Sequence, residues 1–317
     1  MAQEIQTNSS ENSNDNQVWT SPEDIKNYGS TEPPCLASYD KSLYIAYKGK
    51  KTGRDNDDTK IYIAPYDGNR WGDSAPANLA TDNFNTGKSP ALTVFNNKLY
   101  LAYKSYKDDN LNIAYSAELV EDNSYEFWDY KDKLNFHSTK SPALTVYKDK
   151  LFMAWKGHDD DHEIWLSSST DGEYWPDGKA TGLFTDESPA LAVFKDKLYI
   201  AYNQNGSNNI CVAYLDDTTQ KWIKITLAYT TSGAPSLSAY DDYLYLVYTG
   251  VDPNNNVVYY ASSSDGSFSD KNNKKVPYVF TDWRASIAAW NGFLYMAYDV
   301  DNDYQLKYCY YPKSKLP

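Results

Sequence analysis

The chain has 317 residues and carries 43 acidic against 30 basic side chains, a formal charge of −13. That balance excludes nucleic acid as a partner, because tracking phosphates needs a basic stripe. No run of about 18 apolar residues is present to span a membrane as a helix. A length near ~300 would ordinarily mean two domains, unless the chain repeats itself.

The first segment, MAQEIQTNSSENSNDN, is polar and lacks the apolar stretch of a signal peptide. Residues 1–16 are expected to form a disordered tail, and residues 17–317 one domain. Cytoplasmic synthesis is expected, with signal-independent release left open.

From Pro33 onward one pattern is written six times: PPCLASYDKSLYIAY (33–47), SPALTVFNNKLYLAY (89–103), SPALTVYKDKLFMAW (141–155), SPALAVFKDKLYIAY (188–202), APSLSAYDDYLYLVY (234–248) and RASIAAWNGFLYMAY (284–298). The copies lie 46 to 56 residues apart, measured between their fourth residues. That period belongs to propeller blades and similar arrays. Within each copy two apolar-alternating runs flank a two-residue turn such as Asn96-Asn97, Lys148-Asp149 or Asn291-Gly292. Asn, Asp and Gly tolerate the positive φ of a tight hairpin turn, and Pro suits the start of a strand. Each hairpin is followed by a polar loop and a third short strand. A fourth strand carries an aromatic: Trp71, Trp128, Trp175, Trp222 or Phe268. The sixth copy has no fourth strand before Pro317. Trp19 precedes Leu36 by 17 residues, close to the 16 between Trp128 and Leu144. The pattern therefore predicts an all-β fold, a six-bladed β-propeller of four-stranded antiparallel blades, with Gln17–Thr20 closing the ring as the outer strand of the last blade.

Cys35, Cys211 and Cys309 fall in three different blades and read as free thiols. The longer loops share one face with the blade entries, and this face is the expected working face. Its entry residues include Glu32, Lys88, Lys140, Glu187, Trp283 and Arg284. A Thr lies just upstream of each copy, at Thr31, Thr86, Thr139, Thr185, Thr231 and Thr281. The second strand closes on an aromatic beside a cation in Tyr47-Lys48, Tyr103-Lys104 and Trp155-Lys156. An aromatic face takes the C–H side of a pyranose while charged groups bond its hydroxyls. Tyr47 and Tyr103 are read as packing blade against blade, since strand positions are core by default, whereas Trp155, Trp283 and Arg284 depart from the consensus and are read towards binding. Lys48, Lys88, Lys104, Lys140, Trp155, Lys156, Glu187, Trp283 and Arg284 are the candidate sugar-binding set.

Other features carry less. His158 to Glu163, HDDDHE, clusters possible metal ligands, but equivalent loops elsewhere are acidic without histidine, so no metal and no cofactor are expected. Lys48 to Arg54, KGKKTGR, reads as a solvated basic loop. Glu32 and Glu187, at entries nearly opposite around the ring, are the pair a glycosidase would need. The chain's three arginines, Arg54, Arg70 and Arg284, cannot converge as a sialidase requires.

Ser169–Trp175, STDGEYW, and Ser263–Phe268, SSDGSF, resemble the Asp-box of sialidases and related propellers, a turn-tying structural motif. The repeats SPALTVFNNKLYLAYK and SPALTVYKDKLFMAWKG resemble those of bacterial and fungal propeller lectins, whose blades carry S-P-A-L-x-V-F and L-Y-x-A-W-K-G. The resemblance runs from about Gln17 to the end, and only the third blade keeps Ala-Trp-Lys-Gly (Ala154–Gly157). It implies a carbohydrate-binding protein with no catalytic residues, glycans or glycoconjugates as partners, sites at or between blades, and room for oligomers. The alternatives are a glycoside hydrolase with a central pocket and a protein-binding scaffold or toxin accessory.

Overall fold

The computed structural model describes residues 19–50, 58–79, 82–116, 128–251, 256–269, 272–300 and 303–312. The tail 1–16, Gln17, and the basic loop from Lys51 to Arg54 lie outside them. The described residues form six four-stranded antiparallel sheets and one two-stranded ribbon, Asn78–Leu79 with Asp82–Asn83. Blade 1 runs outward from the axis as Cys35–Tyr39, Ser42–Lys48, Ile61–Tyr66 and Ala75–Pro76. Blade 2 is Ala91–Phe95, Lys98–Lys104, Asn110–Ser116 and Trp128–His137. Blade 3 is Ala143–Tyr147, Lys150–Lys156, Glu163–Ser169 and Lys179–Phe184. Blade 4 is Ala190–Phe194, Lys197–Asn203, Asn209–Asp216 and Lys221–Thr230. Blade 5 is Ser236–Tyr240, Tyr243–Thr249, Val257–Ser263 and Lys274–Phe280. Blade 6 is Ser286–Trp290, Phe293–Asp299 and Gln305–Pro312, completed by Glu23–Gly29. The innermost strands contact their neighbours all the way round, so the array is a closed six-bladed propeller.

The hairpins form as their turn residues dictate. Asn96 and Asn97, Lys148 and Asp149, Lys195 and Asp196, and Asn291 and Gly292 all take positive φ at both positions. This primed turn matches the right-handed strand twist. Leu92 pairs with Leu101 and Val94 with Leu99, and the same register recurs in the other blades.

Side chains alternate across a strand, so each blade offers one set to the blade before it and another to the blade after. Leu99, Leu101 and Tyr103 pack against blade 1, whereas Tyr100 and Ala102 pack against blade 3. Both faces are buried, which is why L-Y-L-A-Y is apolar throughout. Each fully buried Leu or Ile stabilises by about 1.5–3 kcal/mol. The outer aromatics lie one to a seam: Trp19, Trp71, Trp128, Trp175, Trp222 and Phe268 each join a different interblade cluster.

The N-terminal segment closes the ring as expected, through Glu23–Gly29, which pairs with Gln305–Pro312; of the expected Gln17–Thr20 only Trp19 and Thr20 are among the described residues. Trp19 and Thr20 still engage the last strand, where the Thr20 N–H donates to the Tyr310 carbonyl (2.9 Å) and Trp19 packs on Tyr260 and Tyr311. The Asp-containing turns tie themselves as expected. The Asp171 carboxylate accepts from the N–H groups of Glu173 and Tyr174 at 2.9 Å each, and that of Asp265 accepts from the Ser267 N–H at 2.8 Å. These backbone bonds hold both carboxyls below their ordinary range, Asp265 to about 2.

Candidate functional site

Six blade entries converge on the axis. Each is held by a hydroxyl two residues upstream that accepts across its turn, and in blades 1 to 5 the same hydroxyl also donates across it. Thr86 Oγ1 donates to the Lys88 carbonyl (2.6 Å) and accepts from the Lys88 N–H (3.1 Å). Thr185 does the same for Glu187, and Thr231 for Gly233. In blades 1 and 3 the hydroxyl is that of Ser30 or Ser138, not of Thr31 or Thr139. In blade 6, Thr281 Oγ1 accepts from the Trp283 N–H and faces Asp299. All six hydroxyl-bearing residues are fully buried.

The mouth so built carries Glu32, Lys88, Lys140, Glu187, Gly233 and Trp283 round the ring, with Pro33, Ser89, Ser141, Ser188, Ala234 and Arg284 behind them. Lys88 pairs with Glu32 (3.3 Å) and Lys140 with Glu187 (2.7 Å), so each carboxylate of the suspected catalytic pair is tied to a lysine of the adjacent blade. Burial raises the Glu32 pKa, and Lys88, Lys48 and Lys140 work against that rise. The cavity has a volume of about 90 Å³. Sites that enclose a whole small ligand run to ~300–1,000 Å³. The axial cavity between Glu32 and Glu187 is smaller than such sites.

The strand-end residues sit elsewhere. Lys156 is buried and donates to the carbonyls of Gly157 (3.3 Å), Asp159 (3.0 Å) and Asp161 (3.2 Å). Burial lowers its pKa, and Lys140 adds to the push. Lys104 donates to the carbonyls of Ser105 and Asp108 at 3.2 Å each and pairs with Asp109. Lys48 donates to Thr31 Oγ1 at 2.6 Å. These ammonium groups close their own loops. Replacing Lys156 with Met is expected to cost about 1–3 kcal/mol in a urea melt, because the three carbonyls of its loop lose their shared donor.

The neighbouring aromatics form interblade stacks. Trp155 is 3% exposed and lies on Phe136 with ring centres 4.3 Å apart and planes at 15°. Tyr47 lies between Tyr28 and Tyr62, and Tyr248 between Tyr229 and Tyr259. Tyr103 stacks on Phe84. The partner in the preceding blade stands two residues before the entry hydroxyl each time.

A second, larger cleft lies between blades 3 and 4, away from the axis. Its volume is about 590 Å³, and Lys150, Phe152, Asp177, Lys179, Gln220, Lys221 and Trp222 are in its lining. It opens because the fourth strand of blade 3 starts late. Glu163, Trp165 and Leu166 find partners in Lys179–Phe184, but Ser167 and Ser168 have none on that side. Ser167 Oγ instead donates to the Pro176 carbonyl (2.7 Å). In blade 4 the corresponding ladder runs from Asp216 to Asn209. Trp222 is accordingly half-buried, whereas Trp19, Trp71 and Trp128 are buried. Apart from Trp222, noted as an outer-strand aromatic, these cleft residues were not singled out in the sequence. The available signal was the long Pro176-Asp177-Gly178 run before the strand.

The histidines bridge loops. His158 pairs with Asp109 of blade 2 (2.8 Å) and with Asp159 (3.0 Å), and His162 with Asp186 (2.9 Å). Asp109, His158 and Asp159 are close enough to share an ion, but Asp109 already pairs with Lys104 at 2.7 Å. The three thiols are free. Arg70 lies in an exposed turn closed by Asp67, Arg284 lies at the axis, and Arg54 is outside the described residues.

No protein-family model matches the sequence, and no curated protein matches it significantly. Similar folds occur among solved structures. A mutant of Aleuria aurantia lectin in complex with Fucalpha1-6GlcNAc superposes with a TM-score of 0.63 at 10% identity, covering 89% of this chain and 93% of that one. A neuraminidase-like protein of A/flat-faced bat/Peru gives 0.58 at 9% identity, covering 95% of each chain. A GH43_1 enzyme from Xanthomonas citri gives 0.52 at 11% identity, covering 78% of this chain and 95% of that one. At these identities the likeness is one of fold.

Proposed function

We propose that this protein binds carbohydrate without transforming it, and that the contact is made in the cleft between blades 3 and 4. The observation that carries the reading is the cleft itself, about 590 Å³ with Trp222 and Phe152 among lysines, an aspartate and a glutamine. This volume falls within the ~300–1,000 Å³ range of ligand sites. An indole face beside amide, ammonium and carboxylate groups suits the two sides of a pyranose. The fold likeness to a lectin seen with a fucosylated disaccharide is in keeping with it. The strand-end lysines and Trp155 then serve the scaffold, and the axial residues serve a separate purpose.

A glycan array read with wild type and Trp222→Ala tests this. Binding to at least one glycan class is expected, weakened by about tenfold or more in the variant, equivalent to ~1.4 kcal/mol. Trp222→Phe should recover most of the loss. Equal binding by wild type and Trp222→Ala would overturn the cleft. Turnover of aryl glycosides, lost in Glu32→Gln or Glu187→Gln, would overturn the non-catalytic reading.

A further inference from the structure

We propose that the axial cavity is a carboxylate-binding site anchored by Arg284 and separate from the blade 3–4 cleft. Arg284 is the residue that breaks the ring. Five blades place Pro33, Ser89, Ser141, Ser188 and Ala234 at its position, all small, and blade 6 places a guanidinium there. It is 9% exposed, and its Nε is buried without a hydrogen-bond partner.

The other charges at the cavity are satisfied. Glu32 has Lys88 and Glu187 has Lys140. Asp282 accepts from the Asn256 side-chain amide. Arg284 has neither an ion pair nor a hydrogen bond at its buried Nε. A guanidinium does not give up its proton in a protein, so burial cannot be relieved by neutralisation. Burial does lower its pKa, with Cys35, Glu32 and Glu187 acting in the opposite direction. A buried cation without a counter-ion is a standing penalty, which an entering anion would remove.

Shape selects the anion. The planar fork of Arg matches a carboxylate, which accepts two parallel bonds. Ser89, Ser141 and Ser188 line the same space and offer hydroxyls. About 90 Å³ admits the acid group but not a ring. The rest of a larger ligand must stay in the mouth, where Trp283 is 51% exposed. A short free acid and the acid group of a uronic sugar share this chemistry.

Calorimetric titration of the full chain at low salt with acetate, glucuronate and glucose tests the site. Acetate and glucuronate are expected to bind at one site and glucose not to compete there. Glucuronate binding more tightly, with the gain lost in Trp283→Ala, identifies the acidic sugar; equal affinities identify the free acid. Either supports the site. Arg284→Met and Arg284→Gln should each weaken carboxylate binding by about tenfold or more, while Trp222→Ala leaves it unchanged. Without ligand, both Arg284 variants should melt at or above the wild-type temperature, since an unpaired buried charge is gone. The site is overturned if neither acid binds, if binding survives both Arg284 variants, if it is lost in Trp222→Ala, or if both Arg284 variants melt lower than wild type.

Discussion

Replacing Trp155 with alanine is expected to destabilise the protein by about 3–5 kcal/mol, the range for deleting a large buried aromatic. The ring is 3% exposed and lies 4.3 Å from Phe136 across the seam between blades 2 and 3. Burial supplies most of the loss, and the stacked geometry adds about 0.5–1.5 kcal/mol. Phe136→Leu should cost less, because the equivalent seam between blades 3 and 4 sets Leu183 beside Tyr202. Urea unfolding followed by circular dichroism measures both. Glycan affinity, corrected for the folded fraction, should not change in Trp155→Ala. A specific loss of affinity with unchanged stability would return Trp155 to the binding surface.

The second large effect concerns ring closure. Deleting residues 1–30 removes Glu23–Gly29 and leaves Gln305–Pro312 as an unpaired edge. It also removes Trp19 and Ile25, both buried, from the two seams of blade 6. A long bare edge beside exposed apolar surface recruits other chains. The truncated protein is expected to form oligomers or aggregates by light scattering, with no cooperative melt. A synthetic peptide covering residues 19–30 should restore the monomer by adding the missing strand in trans. A truncated chain that stays monomeric and melts cooperatively would show that closure contributes little.

The blades were legible because the second strand of each is buried on both faces for nearly its whole length and therefore writes a long apolar run. Closure was harder. Glu23–Gly29 buries only Ile25 and Gly29 outright, and it is kinked by a register shift after Asp24 and a positive φ at Lys26. An edge strand exposed on one side carries little periodicity. The lysines at the strand ends could not be placed from sequence, because the acceptors for Lys104 and Lys156 include backbone carbonyls, which every residue offers. The aromatic stacks were hidden for another reason. The partners Tyr28, Phe84, Phe136 and Tyr229 each stand five residues before the next repeat copy, but Leu183 and Val279 hold that position in the other two blades, so an aromatic there does not recur in every repeat. Arg284 was visible as a departure, but its isolation among small residues needed the six entries set side by side. The cleft depended on a strand that starts late, a matter of ladder pairing that side-chain type does not report.

Strand closure has a consequence for orientation. Glu23 pairs with Tyr308, and Thr20 bonds to Tyr310, so the polypeptide enters and leaves the ring along one outer edge, that of blade 6. Blade 3 stands diametrically across. Whatever is fused before Trp19 or after Pro312, whether an affinity handle, a bead or a neighbouring domain, would hold the molecule by its back and present the cleft beside Trp222 outward.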